Sequence, residues 1–352
     1  MRAIAVTPGQ KRSARVMDVD DPRPARGDLL VHGVRLGLCG TDHEINEGLY
    51  GMSPPGSDFL ILGHESLGRI ERGTDDLPAG TFVVGLVRHP DECPNCRHGE
   101  PDMCLWGTYR EHGIDELHGF GSEWWVDTPD FVVAVPAALG ERGVLAEPTS
   151  IVEKAIRQAY GAQKRMFWDP QRAIVAGAGP IGILGALLLR LRGLQVTLFE
   201  RSEKPERRAL LGRAGIAYAA TSVTPLADIA AGAGHLDLAV EATGSAEVAF
   251  ALMERIGVDG VLALTSVSGG DATGVVPIAR LNRELVLGNK LVLGSVNANR
   301  IDYEAGVHDL QEIERRYPGL LGSLITRRVP LAEAAPAVVH DPRQIKVVVE
   351  LE

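Results

Sequence analysis

AIVAGAGPIGILGALLLRLRGLQVTLFER, residues 173–201, is the stretch that decides the fold. A short apolar run is followed by a glycine-rich turn, by leucines at helical spacing, and by a second apolar run that ends at Glu200. A strand, a GxGxxG turn, a helix and a strand that ends in an acid together form the pattern of a dinucleotide site. The sequence therefore predicts that Gly177, Gly179 and Gly182 bring a pyrophosphate to the N-terminus of the following helix.

The size and composition of the chain limit the classes of protein it can belong to. Its 352 residues are enough for two domains with a core each, and its formal net charge of −10 argues against a nucleic-acid partner. The longest apolar stretch, Ile181–Leu189, is too short to span a bilayer, and the first residues lack the long apolar segment of a signal peptide. Three of the four cysteines lie between Cys93 and Cys104, which favours a metal site in a reducing compartment over a disulfide framework. We therefore expect a cytoplasmic protein with neither a membrane nor a nucleic-acid partner.

The pattern of predicted secondary structure changes once along the chain. Residues 1–156 are predicted to be mainly β, because short strand patterns alternate with turns that contain proline. Strand patterns then alternate with helical ones, which predicts a doubly wound parallel sheet in an α/β protein. A helical stretch, Asp302–Tyr317, and a last strand, Ile345–Leu351, follow. We predict a catalytic domain at 1–156, a dinucleotide-binding domain at 157–296 and a return to the catalytic domain at 297–352.

Metal-binding residue types are concentrated in three short segments of the first domain. Cys39 and Thr41 lie in a glycine-flanked segment that we interpret as a loop. His64 and Glu65 lie in an apolar context that could not bury them unpaired, and Glu147 ends a turn. A thiolate, an imidazole and carboxylates from separate loops suit catalytic zinc, which leaves a position for substrate. Taken singly, Cys39 also fits a packed core thiol, His64 a half-buried histidine and Glu147 a helix-capping acid; their occurrence beside a nucleotide pattern favours the zinc site.

Five motifs occur along the chain in a fixed order, which are GxCGTD, GHE, CxxC, EP and GxGPIG. In these motifs, and over essentially its whole length, the chain resembles the zinc-containing medium-chain dehydrogenase/reductase superfamily. Residues 39–44, 95–104, 109–114 and 289–297 narrow the resemblance to the glucose 1-dehydrogenases of archaea and some bacteria. Glu44 supports the glucose type, since sorbitol- and alcohol-type members usually carry histidine there. The resemblance implies a GroES-like catalytic domain and a Rossmann domain.

The resemblance also implies roles for the candidate residues. Cys39 and His64 would be ligands of the catalytic zinc, with Glu65 and Glu147 as carboxylate ligands, direct or through water. Thr41 would hydrogen-bond the reacting hydroxyl and pass its proton on. The sugar-binding residues it implies are Thr41, Glu111, Glu147 and Asn297. The implied reaction is the oxidation of an aldose, foremost D-glucose, at C1 to the lactone, with hydride transfer to NAD(P).

Glu200 bears on the choice of nicotinamide cofactor. An acid at this place usually accepts hydrogen bonds from both ribose hydroxyls, and it repels a 2′-phosphate. Several relatives that favour NADP carry a neutral residue followed by two arginines, where this chain has Glu200-Arg201-Ser202. We predict that NAD is preferred and NADP is accepted more weakly. The predicted cofactor-binding residues are Gly177, Gly179, Pro180, Ile181, Gly182, Glu200, Arg201, Leu264, Thr265, Ser266, Ser295, Val296 and Asn297.

Residues 88–106 are predicted to form a lobe around a structural zinc, because closed zinc sites use tetrahedral thiolates. The thiols of this lobe are Cys93, Cys96 and Cys104. Relatives show C-x2-C-x2-C-x7-C, and the first cysteine is missing here, near Pro90. Either His89 or Asp91 takes its place, or the lobe holds no metal.

Two other functions are alternatives to the glucose 1-dehydrogenase hypothesis. One is a polyol, secondary-alcohol or other sugar dehydrogenase of the same superfamily, and Glu44, Glu111 and Asn297 favour the aldose over these. The other is a non-catalytic nucleotide-binding protein, which should lack the zinc ligands that this chain keeps. We also expect a homodimer or homotetramer with a small-molecule sugar substrate.

Overall fold

The computed structural model describes residues 1–269 and 273–352, and the chain forms two compact units. Unit 1 consists of Met1–Ser150, Asn297–Gln311 and Leu321–Glu352, and unit 2 of Ile151–Val296 and Glu312–Leu320. No helix in the described part of the chain is long and apolar enough to cross a membrane.

The strands in chain order are β1 (Arg2–Val6), β2 (Arg15–Asp18), β3 (Leu29–Leu38), β4 (Leu60–Ile61), β5 (Glu65–Arg72), β6 (Phe82–Gly85), β7 (Arg88–His89), β8 (Arg110–His112), β9 (Glu116–Leu117), β10 (Trp124–Asp127), β11 (Val132–Val135), β12 (Arg172–Ala176), β13 (Gln195–Glu200), β14 (Ala217–Ala220), β15 (Leu238–Glu241), β16 (Val261–Leu264), β17 (Leu291–Gly294), β18 (Ile325–Pro330) and β19 (Lys346–Glu350). The helices are α1 (Gly40–Asn46), α2 (Pro94–Arg97), α3 (Ala146–Gln163), α4 (Pro180–Leu191), α5 (Pro205–Gly212), α6 (Leu226–Ala233), α7 (Ala246–Arg255), α8 (Ile278–Leu287), α9 (Arg300–Arg316) and α10 (Ala334–Ala337).

Unit 1 is built on β-sheets. Its largest sheet has the strand order β11-β6-β5-β3-β19-β18, and β10 also pairs with β3. The sheet joins distant parts of the sequence, since β19 pairs antiparallel with β3 and brings Val347 opposite Leu38. Side chains from β1, β3, β4 and the last strands form one buried apolar core, in which Ile4 and Leu36 are fully buried. The short strands β7, β8 and β9 form a separate small sheet beside the cysteine-containing segment.

Unit 2 is a parallel sheet with the strand order β14-β13-β12-β15-β16-β17. The connections run in opposite directions from β12, so the strand order reverses between β12 and β15. In open α/β sheets, ligands bind outside the carboxyl ends of the strands at such a reversal. The core of this unit contains Ile174 and Leu262 from the strands and Leu252 from α7. The predicted doubly wound sheet is therefore confirmed.

The glycine turn follows β12 at the reversal point. Gly177 has a φ of +101°, and a Cβ atom there would lie 2.6 Å from the Ala242 carbonyl oxygen. A Cβ atom on Gly182 would collide with the Gly177 carbonyl group, so this position also requires glycine. Pro180 is the first residue of α4, where a missing N–H costs no hydrogen bond. The predicted strand, turn, helix and strand are confirmed.

The interpretation of the segment around Cys39 as a loop is wrong, because a helix begins there. The Cys39 side chain accepts a hydrogen bond from the Thr41 N–H, and the Asp42 carboxylate accepts one from the Cys39 N–H at 2.9 Å. These reciprocal bonds form a capping box that starts α1. The flanking glycines hid this signal, since glycine in a short stretch predicts a turn. Similarly, Glu147 lies in the first turn of α3, a helix absent from the sequence reading.

The limits of the two units differ from the predicted domain limits at two places. The predicted boundary after residue 156 and the limit at Ser150/Ile151 both lie inside α3, so the chain passes from one unit to the other within a helix. Residues 312–320 belong to unit 2, although the prediction assigned all of 297–352 to the first domain. The segment in question contains the end of α9.

Candidate active site and metal centres

Cys39 and His64 come together in unit 1 from the ends of two neighbouring strands. Cys39 follows β3, His64 precedes β5, and the Cys39 Sγ atom lies 3.2 Å from His64 Nε2. The ligand atoms of Cys39, His64 and Glu65 all lie within 4.8 Å of one another. The chain thus places a thiol, an imidazole and a carboxylate around one point, as the sequence led us to expect.

The electrostatics at this point favour a positive charge. His64 is buried, and burial alone would lower its pKa, but the Cys39 thiolate and the Asp42 carboxylate outweigh burial and raise that pKa well above its ordinary value. His64 Nδ1 and Asp42 Oδ1 lie 3.8 Å apart, and both atoms are buried without a hydrogen-bond partner. A zinc ion bound to Sγ and Nε2 would supply the charge, and the carboxylate behind the ring would orient the imidazole. The residues present therefore fit the metal.

Glu65 has a strong partner that the sequence did not reveal. The Lys346 ammonium group donates to both carboxylate oxygens, at 2.6 Å to Oε1 and 2.5 Å to Oε2, and it also lies 3.3 Å from the Leu38 carbonyl oxygen. Both side chains are almost fully buried. Burial lowers the pKa of Lys346, but the Glu65 and Cys39 charges outweigh it and raise that pKa. Glu65 is thus held next to the metal-binding point by an ion pair.

Glu147 is a buried carboxyl group close to the same point. Burial raises its pKa to about 7, and the Glu65 carboxylate adds to the rise, whereas His64 opposes it. A carboxyl group with a pKa near neutrality can both accept and release a proton under ordinary conditions. Glu147 therefore has the properties of a group that can take part in proton transfer.

Two of the four residues predicted to bind a sugar, Glu111 and Asn297, are in direct contact in unit 1. The Asn297 side-chain amide donates to Glu111 Oε1 at 2.7 Å, and both residues are buried. Arg88, on β7, donates to the same oxygen through Nε at 2.9 Å. The guanidinium group of Arg88 lies 3.6 Å from the centre of the Tyr109 ring. The Glu111 carboxylate is thus fixed in orientation by an amide and a guanidinium group.

In the cysteine lobe, Asp91 lies next to the three thiols, whereas His89 belongs to a different group of side chains. The ligand atoms of Asp91, Cys93, Cys96 and Cys104 all lie within 4.8 Å of one another. Cys104 Sγ donates to Asp91 Oδ2 at 3.0 Å, and this bond is the main cause that lowers the pKa of Asp91 below its ordinary value. The Leu105 N–H donates to Cys93 Sγ at 3.3 Å. Three thiols and a carboxylate in this arrangement fit a tetrahedral metal site.

The predicted cofactor residues of unit 2 lie at the carboxyl edge of the parallel sheet. Five of them lie in the turn at 177–182, Glu200 ends β13, and the exposed Arg201 follows it. The others are Leu264, Thr265 and Ser266 at the end of β16, and Ser295 and Val296 after β17. Ser266 Oγ donates to the buried Glu241 carboxylate, and Lys154 Nζ donates to the Val296 carbonyl oxygen at 2.7 Å. Ser295 Oγ is buried without a hydrogen-bond partner.

Glu200 is surrounded by groups that stabilise its charge. The Tyr218 hydroxyl donates to Oε1 at 2.9 Å, Lys204 Nζ lies 3.3 Å from Oε2, and Arg207 Nη1 lies 3.8 Å from Oε2. Arg207 is buried and also donates to the carbonyl oxygen of Ala178, inside the glycine turn. One cation, Arg207, therefore contacts both the acid and the turn that is predicted to bind the pyrophosphate.

Several of these partners were not predicted from the sequence. Lys204 lies only four residues after Glu200, but Glu200 ends β13 and α5 begins at Pro205, so this spacing is not that of a helical ion pair and gave no signal. Arg88 and Lys346 are ordinary cations in their local sequence, and only the strand pairing in unit 1 brings them to Glu111 and Glu65.

Comparison with known proteins places this architecture in a class. Residues 25–137 match the alcohol dehydrogenase GroES-like domain, and residues 140–351 match the family described as glucose dehydrogenase C-terminus. Together with the parallel sheet of unit 2, these matches define a medium-chain dehydrogenase, and the predicted fold class is confirmed.

Comparison with full-length relatives identifies the family to which the chain belongs within this class. The chain is 45% identical to the glucose 1-dehydrogenase of Methanocella arvoryzae, with 100% of this chain and 99% of that protein covered. It is 38% identical to glucose 1-dehydrogenase 1 of Caldivirga maquilingensis at the same coverage. A solved structure of Haloferax mediterranei glucose dehydrogenase in complex with NADP, zinc and gluconolactone matches with a TM-score of 0.92 and 33% identity, covering 100% of this chain and 99% of that one. The chain belongs to the glucose 1-dehydrogenase family, as the motifs predicted.

Proposed function

We propose that this chain oxidises an aldose, foremost D-glucose, at C1 to the lactone and transfers a hydride to NAD(P). The observation that carries the proposal is the contact between Glu111 and Asn297 in the unit that also pairs Cys39 with His64. Carboxylate and amide groups can each engage paired hydroxyls, which a small apolar alcohol does not offer. The family membership and the Haloferax mediterranei complex with NADP, zinc and gluconolactone support the same reaction.

The residues of the site have different roles in the proposed reaction. Cys39 and His64 would bind a catalytic zinc ion, with Glu65 and Glu147 as nearby carboxylates. When bound, zinc supplies a Lewis acid for the substrate oxygen, and the nicotinamide accepts the hydride.

In this proposal the Thr41 hydroxyl accepts a hydrogen bond from the C1 hydroxyl and relays its proton, because it releases its own hydroxyl proton as it takes up that of the substrate. Glu147, a buried carboxyl group close to the Cys39–His64 pair, is a group that can carry the proton further. Glu111 and Asn297 hold the other hydroxyls, so that C1 is presented in a fixed orientation. The turn at 177–182 binds the pyrophosphate through backbone N–H groups at the start of α4. In the lobe, Asp91 is the proposed fourth ligand beside the three cysteines.

The assembly and location proposed for the chain rest on its surface and its cysteines. β17 is the last strand in the order of its sheet, and neighbouring apolar side chains such as Val292, Val296 and Leu287 are exposed. An edge strand with apolar neighbours suits pairing with a second copy, so we infer a homodimer or homotetramer, to be measured by light scattering. All four cysteines are free thiols, which supports a reducing compartment such as the cytoplasm.

The substrate is tested by an initial-rate panel of glucose, galactose, xylose, sorbitol and simple alcohols with each cofactor. We expect aldoses to give the highest kcat/KM. Glu111→Gln should raise KM for glucose by roughly tenfold or more, since a hydrogen bond to a charged group contributes about 1.5–3 kcal/mol. KM for the cofactor should stay unchanged, and Glu116→Gln on the adjacent strand serves as the matched control. Faster oxidation of sorbitol or an aliphatic alcohol than of any aldose would refute the substrate assignment.

Glu200→Gln should shift the ratio of kcat/KM values toward NADP by roughly tenfold. The wild-type chain is expected to prefer NAD, because Glu200 accepts bonds from the ribose hydroxyls and repels a 2′-phosphate. Without the carboxylate, Lys204 and Arg207 lose their shared partner and can bind that phosphate. Tyr218→Phe removes a hydrogen bond from Glu200 without changing the charge, so it should move the ratio far less. A wild-type preference for NADP would show that Glu200 does not select the cofactor.

A further inference from the structure

We propose that His89, His112 and Asp127 form a third metal site, which takes a divalent ion of the zinc type. The three residues come from β7, β8 and β10, all in unit 1. Their ligand atoms form a closed group that shares no residue with the Cys39 site or the cysteine lobe. The proposal does not depend on the proposed reaction.

The geometry of the three ligand atoms matches one face of a zinc coordination shell. His89 Nε2 lies 3.1 Å from His112 Nε2, and these two atoms lie 3.3 Å and 3.2 Å from Asp127 Oδ2. Nitrogen and oxygen ligands lie about 2.0 Å from a tetrahedral zinc ion, which separates them from one another by about 3.3 Å. The triangle therefore has the size that a central ion would impose.

Hydrogen bonds alone cannot satisfy this triangle. His112 Nδ1 lies 2.7 Å from the His118 carbonyl oxygen, which can only accept, so Nδ1 carries a proton and Nε2 of the neutral ring has a lone pair. If only one of the two Nε2 atoms is protonated, the other Nε2 and Asp127 Oδ2 direct lone pairs at each other, and that contact is repulsive. If both nitrogens are protonated, their N–H groups face each other at 3.1 Å. A cation at the centre makes all three contacts favourable.

The surroundings hold the three side chains in place. The second oxygen of Asp127 accepts a hydrogen bond from the Thr128 N–H at 2.8 Å, which aims Oδ2 at the imidazoles. The His89 ring is stacked on Phe131 with 3.9 Å between ring centres. Asp127 and His112 are buried, whereas the His89 side chain keeps 17% of its surface exposed. A water molecule would complete the coordination of the ion as a fourth ligand.

The ion would have a positioning role in unit 1. It would join the β7–β8 pair to β10, which belongs to the large sheet. β8 carries Glu111 immediately before His112, so the ion would also fix the strand that presents the predicted sugar-binding carboxylate. Two histidines, one carboxylate and water form a set that binds zinc, and Co²⁺ can replace zinc for spectroscopy.

The experiment compares the metal content of zinc-equilibrated wild-type protein with that of His89→Gln after gel filtration. We expect the variant to contain one zinc per chain less than the wild type. In cobalt-loaded protein, the thiolate-to-cobalt absorption of the two cysteine-containing sites should persist while part of the visible d–d absorption is lost. His118→Gln is the matched control, since it removes a nearby imidazole that lies outside the triangle.

Equal zinc content in the wild type and His89→Gln would overturn the proposal and leave only a hydrogen-bonded cluster. If the variant does not fold, anomalous diffraction from wild-type crystals grown with zinc decides the question. A peak at the zinc edge between the two Nε2 atoms and Asp127 Oδ2 is expected, and its absence at saturating zinc would contradict the site.

Discussion

Replacing Cys39 by serine is expected to lower kcat by about 10³-fold or more, because a Lewis acid contributes several kcal/mol and each 1.36 kcal/mol is a factor of ten. Serine is close in size to cysteine but is a much weaker zinc ligand. The variant should therefore lose the zinc of this site while the rest of unit 1 keeps its core, and its far-ultraviolet circular dichroism should match the wild type.

The control for this prediction is Cys96→Ser, which removes a thiol of the lobe and leaves the Cys39–His64 pair intact. It should lower the metal content without the same loss of kcat. Undiminished turnover in thoroughly zinc-free wild-type protein would contradict the assignment of Cys39 and His64 to a catalytic metal.

Replacing Lys346 by methionine is expected to reduce the free energy of unfolding by about 3–5 kcal/mol, since the change leaves the Glu65 carboxylate buried without its ion-pair partner. The measurement is urea denaturation in the presence of a chelator, so that a metal ion cannot take over the role of the ammonium group. Adding Glu65→Gln to Lys346→Met should restore much of the lost stability, because no unpaired buried charge remains.

Arg328→Met is the matched control for the buried pair. Arg328 pairs with Glu141 at 2.5 Å, but both side chains are more than a third exposed. Solvent screens such a pair, so its loss should cost about 1 kcal/mol or less. Equal losses in the two variants would show that the Lys346–Glu65 pair does not have the energetics of a buried ion pair.

The parts of the fold that the sequence predicted are those set by local rules. The turn at 177–182 depends on glycines within a few residues of one another, and the alternation of strands and helices in unit 2 reads directly from hydrophobic spacing. The family resemblance pointed to Cys39 and His64 through short motifs, and the structure places them 3.2 Å apart. Their roles, like those of Glu111 and Asn297, stay predictions until they are measured.

What the sequence could not show are partners that meet through long-range pairing. Lys346 reaches Glu65 only because β19 lies beside β3, and no local pattern marks that pairing. The choice between Asp91 and His89 in the lobe depends on where each side chain points, which two residues of separation do not reveal. The helix at Cys39 was hidden by the flanking glycines and also because its capping bonds involve a cysteine, which is not among the usual capping residues.

The ion pair of Glu65 also constrains how the chain can be made on the ribosome. Lys346 is translated after all of unit 2, so while the parallel sheet is emerging, β3 lacks its neighbour β19 and the Glu65 carboxylate has no ammonium group beside it. The order of synthesis therefore favours completion of the second unit before the first, although the first unit begins at the N-terminus. Until its last strand arrives, the nascent GroES-like unit has an open sheet edge beside β3 and a Glu65 carboxylate without its ammonium partner.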